Sequence, residues 1–476
     1  MFRLNSRILV FLAFLSVFSF WFVLSKDNYF HWDEWDYLTH FNDVRTFISK
    51  LPNEQFNLLH IFHHYLLFSL FGLNYLPFQL SSSFFHAVNS FLLYKIINRE
   101  TGNRKLAIIA MGIFGFSSVS VENLNNSAAI SQVFAGTFAS AAYLFFLKFK
   151  DKRSTYRLAL SSIFLVVSPM GHAITMLMPA AFILAALQAK ITNQDKLRAS
   201  IVYLAALLTN LLVANLVSGS RLTTNIKLEI PYFLFDVPNF VISGVLRGNV
   251  IRLFFPELHF FPLSSITIDP GLRAILRTLL HSLPLILLAI FLWKLRALQF
   301  RSKIISLLAY YLPLIIVSYV AAGPARATFG YNQAIITRYT YESFFFLLVL
   351  ICNLLKVYPI SPRRLTIGVA YLFFIHLVAN FNFQTRYWQP IANFERGFIQ
   401  DVSYLFCQNK VVYDLPASGI FPNVTLSKLW FLYPKDRDLV FLPAYDLPKD
   451  LSRSGTNVRS VEIYKKIISY YDHKPY

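Results

Sequence analysis

The stretch HWDEWDYL, residues 31–38, places three carboxylates within four positions, directly after a long apolar run. These are Asp33, Glu34 and Asp36. Acids packed this closely repel one another, and a carboxylate near a low-dielectric boundary has a raised pKa. A raised pKa suits a general base at neutral pH. The pattern predicts a catalytic carboxylate, and its structural alternative is a solvated acidic turn after a membrane anchor.

If residues 31–38 form a helix, the tryptophans and the acidic residues lie on different faces of it. The two tryptophans lie one turn apart and are expected to anchor at the headgroup level. Asp33, Asp36 and Tyr37 share an adjoining face, while Glu34 points away from the tryptophans. We expect Asp36 and Tyr37 to contact a substrate.

A second group of candidates is the histidine trio in NLLHIFHHYLLFSLFG, residues 57–72. His60, His63 and His64 stand at i, i+3 and i+4, and therefore on one helical face. Three imidazoles at this spacing are able to bind a transition metal. The alternative, which we favour because no acid lies on that face, is that they line a polar groove. His63 and His64 are then candidate substrate contacts.

Polar side chains also occur in the apolar segment 85–132, where they are costly and usually face the protein interior. His86 and Glu122 are the candidate binding residues of this segment. Asn89 is equally well explained as a helix–helix hydrogen bond. Glu122 is the more suggestive residue because it lies at a helix end.

Arginines are the candidate cations, and six of them fall in loops that we assign below to the outer side: Arg221, Arg247, Arg252, Arg273, Arg326 and Arg338. Guanidinium binds phosphate bidentately, so a lipid phosphate is a natural partner. The structural alternative is pairing with headgroups. Arg338, at the start of an apolar run, is the strongest candidate, followed by Arg221, Arg247 and Arg252.

The composition indicates that these residues are held by membrane helices. The chain has 476 residues, of which 56% are hydrophobic and only 14% charged, whereas a soluble protein carries about 25% charged residues. The net charge of +20 is accounted for by basic loops on the cytoplasmic side of the membrane. No nucleic-acid partner is therefore expected. Cys352 and Cys407 lie in different contexts, so no disulfide is expected.

About eleven apolar runs are long enough to cross a bilayer. The first, residues 8–24, is expected to be an uncleaved anchor. The others centre on 78–97, 106–120, 128–147, 158–171, 173–189, 199–217, 274–293, 304–321, 342–356 and 365–381.

Charge asymmetry gives the orientation. Alternate connections are rich in Lys and Arg, while the short turns 122–127 and 168–172 contain none. The positive-inside rule then places the N-terminus in the cytoplasm and the C-terminus outside, in a multi-pass protein of the cell membrane. The outer side receives the loops 25–76, 218–273 and 322–341, together with the tail.

The fold class expected is an all-α polytopic membrane protein with a small α+β extracytoplasmic domain. The transmembrane domain is expected to cover residues 1–381 and the C-terminal domain residues 382–476. Strand-like runs broken by proline, KVVYDLP and DLVFLPAYDLP, predict the strands of that domain.

In this order and topology, the motifs resemble the GT-C superfamily of polytopic glycosyltransferases. That superfamily includes protein O-mannosyltransferases, lipid A aminoarabinose transferases and a bacterial mannosyltransferase-like group. Asp33-Glu34 matches the DE form of the acidic motif that follows the first span, residues 72–132 resemble the second-to-fourth spans, and TRYTYE is similar to an Arg-Tyr before a late span. The resemblance covers residues 1–150 and otherwise only the architecture. SPMGH stands at 168–172, where relatives often have Ser-Lys-Glu, and the tail matches nothing we can place.

The resemblance implies a sugar donor on a polyprenyl or dolichyl phosphate and an acceptor hydroxyl on a glycan, lipid or protein. Asp33 would be the general base and Glu34 would position the acceptor. Arg338 or a neighbouring arginine would stabilise the phosphate leaving group. A single displacement implies inversion at the anomeric carbon. No obligatory cofactor is expected, although DEWD contains oxygen ligands suited to a divalent metal.

Two other functions remain open. An O-antigen polymerase or ligase also has many spans and functional arginines, but it would not require Asp33-Glu34 after the first span. A non-enzymatic transporter of lipid-linked glycans would need polar residues across the bilayer midplane, and it often shows internal repeats. The sequence shows no such repeat.

Overall fold

The structure, a computed structural model, describes residues 6–30, 33–40, 57–218, 232–256, 301–327, 337–415, 425–429, 432, 439–443 and 458–472. The predicted span 274–293, most of the loop 218–273 and most of the tail between its helices lie outside these ranges.

Helices form most of the described chain. The first nine are α1 (Ser6–Ser25), α2 (Asp33–His40), α3 (Leu58–Phe71), α4 (Leu76–Thr101), α5 (Arg104–Gly115), α6 (Val121–Asn125), α7 (Ile130–Lys152), α8 (Thr155–Gly171) and α9 (Met178–Gln188). They continue with α10 (Asn193–Ser218), α11 (Val237–Ser243), α12 (Arg252–Phe254), α13 (Arg301–Arg326), α14 (Thr337–Val357), α15 (Pro362–Phe383), α16 (Gln389–Gln408) and α17 (Val458–Asp472). Helical segments with wider π-type turns occupy Tyr232–Asp236, Gly244–Ile251 and Gln384–Trp388.

Six helices of the described chain are long and apolar enough to cross a membrane, or seven if α5 and the bent segment after it form one span. The six are α1, α7, α10, α13, α14 and the continuous run that contains α15. The prediction of a multi-pass helical membrane protein is confirmed. The predicted count of eleven includes the run 274–293, which lies outside the described residues. Of the other predicted runs that are not among the six, the one in α4 is rich in buried polar side chains, the one in α5 is bent at its end, and those in α8 and α9 are shorter.

Helix α14 is the centre of the bundle. It packs against α4, α5, α6, α7 and α13, and its residues 339–350 are all buried. Within this stretch Phe344, Phe345 and Phe346 meet Phe114 of α5 and Tyr143 of α7 edge-on or stacked. Large aromatic side chains bury the most apolar area per residue, so this layer holds the bundle together.

Helix α5 does not continue straight into the loop that was predicted to follow it. It starts at a cap in which Asn103 Oδ1 accepts from the Leu106 amide at 3.1 Å. It ends at Gly115, and the segment Ser118–Asn125, which contains α6, leaves it at an angle of 43°. The predicted turn 122–127 is therefore largely helical, and α6 lies against α14.

A second hydrophobic core lies apart from the bundle. It joins Phe30, Trp35 of α2, Ile61 of α3, and Tyr75 and Phe78 at the start of α4 to side chains of α16, the first strand and α17. The first loop and the C-terminal region therefore share one core, the second core. Residue Trp35 is fully buried in it, so the expectation that it anchors among headgroups was wrong.

Two short parallel strands complete the second core. They are β1 (Val411–Asp414) and β2 (Val440–Pro443), with Val411 opposite Val440 and Val412 opposite Phe441. Both fall in the predicted strand-like runs. The predicted domain boundary at 381/382 falls inside a helical run that continues from Pro362 to Gln408. At a rise of ~1.5 Å per residue this run is about twice as long as a bilayer is thick, so we assign the span to α15 and place α16, which packs in the second core, beyond it.

Candidate functional site

Helix α6 is fixed at the junction between the bundle and the second core. Asn28 Nδ2 donates to Asn125 Oδ1 at 2.7 Å, and Gln384 donates to Asn28 Oδ1. The Tyr75 hydroxyl donates to the Asn125 carbonyl at 3.0 Å. Elements from the first loop, from α4 and from the end of α15 therefore meet on this one short helix. Polar groups this numerous in a buried place are typical of a site rather than of packing alone.

Glu34 lies on one side of this junction and is fully buried. Its carboxylate accepts from the Ser127 hydroxyl and lies 3.5 Å from the Tyr75 hydroxyl. Burial, and then the neighbouring Glu34, raise the pKa of Tyr75 well above 10, so this hydroxyl stays protonated and acts as a donor. Glu34 therefore has one close hydroxyl donor, Ser127, and a second hydroxyl, that of Tyr75, at the limit of hydrogen-bond distance.

A second acid, Glu395 of α16, belongs to the same cluster and is also fully buried. It lies beside Trp35 and within electrostatic range of Glu34. Burial, and then the charge of Glu34, raise the pKa of Glu395 well above its usual range. Two buried carboxyls within electrostatic range disfavour each other's ionised form.

The predicted histidine face exists and borders the same cluster. The ring centroids of His60 and His64 are 4.2 Å apart, and those of His63 and His64 are 5.5 Å apart. His64 Nε2 lies 2.9 Å from Ser127 Oγ, and His63 Nε2 lies 2.8 Å from Ser81 Oγ. Burial lowers the pKa of His63 to about 4 and lowers the pKa values of His60 and His64 well below their usual range. The trio is therefore neutral at physiological pH.

Arg252 lies on the other side of the junction. It is 3% exposed and within electrostatic range of Glu122 and Tyr319. The segment that carries it is fixed by His376, whose Nε2 donates to the Leu253 carbonyl at 3.0 Å and whose Nδ1 accepts from the Ser118 amide at 3.1 Å. A buried guanidinium is costly unless it meets an anion, so its retention points to a ligand or a buried partner.

Two further polar side chains are buried near α6 without hydrogen-bond partners in the described part of the chain. They are Asn123 of α6, whose amide nitrogen and oxygen are both unpaired, and Glu342 of α14, whose two carboxyl oxygens are unpaired. A buried polar group without a partner costs about 1–3 kcal/mol. Because α6 packs against α14, these groups mark a polar interior at the junction.

His86, a predicted binding residue, already has hydrogen-bond partners at both ring nitrogens. Its Nε2 donates to the Gly115 carbonyl at 3.2 Å, and its Nδ1 accepts from the Tyr341 hydroxyl at 2.8 Å. Asn89 donates to the Val133 carbonyl and to Tyr341 Oη, both at 3.0 Å. Both ring nitrogens of His86 are therefore occupied in helix packing, and Asn89 has the structural role that we considered for it.

The remaining predicted site residues fall at the limits of the described chain. Helix α2 begins at Asp33. The described part of the chain leaves out all of Arg221 and the side chains of four other predicted site residues: Asp33, Asp36, Tyr37 and Arg338. Arg247 is half-buried on the segment Gly244–Ile251. In the described ranges, no group of three or more His, Cys, Asp and Glu residues is arranged to hold a metal ion. Neither Cys352 nor Cys407 is part of a disulfide in the described residues.

Sequence reasoning missed Ser127, Tyr75 and Glu395 as members of this site. Ser127 stood in the predicted turn 122–127, and Tyr75 stood in the predicted outer loop 25–76. Glu395 lies in the tail, more than 350 positions from Glu34 in the sequence. The one available signal for Glu395 was its position in a strongly amphipathic helix on the side of the buried residues Ala392, Phe398 and Ile399.

Comparison with known proteins gives likenesses of structure only. No protein-family model matches the sequence, and no curated protein matches it. ArnT from Cupriavidus metallidurans, in a crystal structure with bound undecaprenyl phosphate, is similar over 91% of this chain and 85% of its own, with a TM-score of 0.48 and 11% identity. The Archaeoglobus fulgidus oligosaccharyltransferase, in complex with Zn and sulfate, is similar over 83% of this chain and 55% of its own, with a TM-score of 0.37 and 10% identity. At TM-scores below 0.5 neither likeness establishes a shared fold.

Proposed function

We propose that this chain is a membrane glycosyltransferase of the GT-C type. It moves a sugar from a polyprenyl or dolichyl phosphate donor to an acceptor hydroxyl and inverts the anomeric carbon. The observation that carries the proposal is the junction at α6, where buried acids and a buried arginine flank one short helix at the end of an apolar bundle. This arrangement supplies a proton acceptor and an anion partner beside a membrane.

The acid side of the junction serves the acceptor. Asp33 is assigned as the general base because of its place in the acidic motif, and Glu34 and Glu395 are buried carboxyls of the junction. The base takes the proton of the acceptor hydroxyl while the oxygen attacks the anomeric carbon. A positioned base of this kind contributes about a hundredfold or more to the rate.

The basic side serves the donor. The bond between the anomeric carbon and the phosphate oxygen breaks as the acceptor bond forms, and its electron pair stays on the lipid phosphate. Arg252 is buried where it can stabilise that charge, with Arg338, Arg247 and Arg221 as further candidates from the sequence. In a water-poor site a fixed guanidinium stabilises developing charge more than it does in water.

A transporter explains the structure less well. Below the junction, the buried side chains of α14 from Phe344 to Leu350 are all apolar, and no polar residue of that helix interrupts them. On α14 the next buried polar side chain is Asn353, which donates to Glu100 at 2.9 Å, and Glu100 also accepts from Tyr143 at 2.8 Å. An apolar stretch on the central helix suits a site at one face better than a path across the bilayer.

The test is donor turnover by the purified protein in lipid. A panel of polyprenyl-phosphate sugars is incubated with the protein and a lipid and glycan acceptor mixture, and release of polyprenyl phosphate is followed by mass spectrometry. We expect one donor to be consumed by the parent protein and by Arg363→Ala, which removes an exposed arginine at the start of α15. The same donor should persist with Asp33→Asn.

Two outcomes argue for other functions. If a folded, monodisperse protein consumes no donor of the panel, the transferase proposal is wrong. If it instead joins or transfers whole lipid-linked oligosaccharides, the polymerase or ligase alternative is the correct class.

A further inference from the structure

Three buried side chains from three separate elements form a continuous hydrogen-bonded chain at the junction. Glu34 of α2 accepts from the hydroxyl of Ser127, and Ser127 Oγ lies 2.9 Å from His64 Nε2 on α3. His64 Nδ1 lies 3.2 Å from the backbone carbonyl of His60. Each of the three side chains is at most 2% exposed. The hydrogen bonds therefore place these buried groups so that a proton can pass from one to the next.

The donors and acceptors of this chain can be counted. The His60 carbonyl only accepts, so His64 carries its proton on Nδ1, and a neutral His64 presents a lone pair at Nε2. Ser127 has one hydroxyl proton and stands between two acceptors, His64 Nε2 and the Glu34 carboxylate. Ser127 can donate its proton to only one of these two acceptors at a time. The other contact therefore has no shared proton until the three groups take up one more.

A single added proton satisfies every contact. If it resides on Glu34, the carboxylic acid donates to Ser127 Oγ, and the Ser127 hydroxyl turns to donate to His64 Nε2. If it resides on His64, the imidazolium donates to Ser127, and Ser127 donates to the carboxylate. The two forms interconvert by moving two protons along the chain, without displacing a heavy atom.

We propose that Glu34, Ser127 and His64 form a relay that receives the proton released by the acceptor hydroxyl; this inference rests on the proposed function. The acceptor O–H bond breaks and its electron pair forms the glycosidic bond. The proton enters the chain at the acidic motif, of which Glu34 is the described member, and fills the open contact through Ser127. It leaves to water after the lipid phosphate has departed. Ser127 and His64 are positioning residues for this transfer.

Titratable side chains from several elements surround the relay in the described part of the protein. Glu34 is faced by the carboxyl of Glu395 and the hydroxyl of Tyr75. The neighbouring titratable groups on the other side belong to the histidine cluster: His60, His63 and His172.

Infrared difference spectra recorded between acidic and alkaline buffer test the relay without any substrate. The C=O stretch of a protonated carboxyl is measured in a Glu395→Gln background, so that the neighbouring acid does not contribute. We expect a band that disappears in Glu34→Gln. Its titration midpoint should shift in Ser127→Ala and in His64→Gln, but not in Ser127→Thr, which keeps a hydroxyl. Ser140→Ala is the matched control, since Ser140 is a buried serine of α7 that is not part of the Glu34–Ser127–His64 relay.

The relay is overturned if no band depends on Glu34 at any pH, or if the midpoint is the same in Ser127→Ala, His64→Gln and the parent. Where donor turnover is found, Ser127→Ala and His64→Gln should each lower kcat about tenfold with little change in KM, less than the loss of a general base itself. Ser127→Thr should restore most of kcat. An infrared result as expected, in a protein that consumes no donor, would keep the relay and reject the proposed function.

Discussion

Arg396 of α16 donates a hydrogen bond from Nη2 to the backbone carbonyl of Asp27 at 3.1 Å, and its guanidinium lies 5.3 Å from the ring centroid of Tyr29. A helix of the C-terminal region is thus held against the segment that follows the first span. The second core adds apolar contacts between the same two regions. The acidic motif and the tail therefore lie on one side of the bundle.

This relationship predicts the outcome of cysteine labelling. In a Cys352→Ala/Cys407→Ser background, Asp27→Cys and Glu462→Cys should react with a membrane-impermeant maleimide in sealed, right-side-out vesicles. Both positions are exposed, whereas Asn28 is buried and unsuited as a probe. Cysteines at Lys105 and Ser302 should stay unlabelled until the vesicles are opened, because basic connections face the cytoplasm.

The two halves of this experiment test different statements. Labelling of Asp27→Cys and Glu462→Cys from opposite faces would contradict the shared core itself. Labelling of both only after opening would keep the core and reverse the orientation that the charge pattern predicts.

The acidic motif predicts a graded loss of turnover. Asp33→Asn should lower turnover at least about a hundredfold, the lower range for a lost general base, with donor binding near normal. Glu34→Gln should cost less, because Glu34 receives the proton after the bond-breaking step. Rates and donor affinity are measured on the same preparations. Full activity of Asp33→Asn would remove that residue from the mechanism.

The sequence predicted the helices well and their mutual contacts poorly. Long apolar runs such as 128–147 and 342–356 identify helices because hydrophobic length is a local property. Helix α6 was not predicted because a helix of five residues is too short to show a hydrophobic period. The sequence left a solvated acidic turn open for Glu34 because its neighbours Ser127 and Tyr75 are brought to it only by the packing of α2 against α3 and the turn Ser127–Ala129. Contacts between distant segments are a property of the tertiary structure.

The buried arginine predicts a change in donor affinity. Arg252→Ala should weaken binding of polyprenyl phosphate by about 2 kcal/mol, or about thirtyfold in Kd, the range for a lost charge-assisted contact. Arg252→Lys should recover part of it, since a point charge replaces a planar fork. Calorimetric titration in detergent measures both, with Arg363→Ala as the exposed control.

Arg338→Ala should act in the same direction as Arg252→Ala if both arginines meet one phosphate. Equal affinity in the parent, Arg252→Ala and Arg338→Ala would place the phosphate elsewhere, with Arg247 and Arg221 next in order. Thermal unfolding of each variant separates a lost contact from a lost fold.

Two glutamates of the bundle should respond to the same substitution with opposite signs. Glu342 is buried, and both its carboxyl oxygens are without hydrogen-bond partners in the described chain. Glu100 accepts from Tyr143, Tyr311 and Asn353. Removing an unpaired buried carboxyl should raise the free energy of unfolding by about 1–3 kcal/mol, and removing a paired one should lower it by a similar amount because its donors lose their acceptor. Thermal unfolding of Glu342→Met and Glu100→Met in one detergent measures both. If Glu342→Met is instead destabilised as much as Glu100→Met, the Glu342 carboxyl has a partner in the folded protein, and the polar interior between α6 and α14 is not open to a ligand.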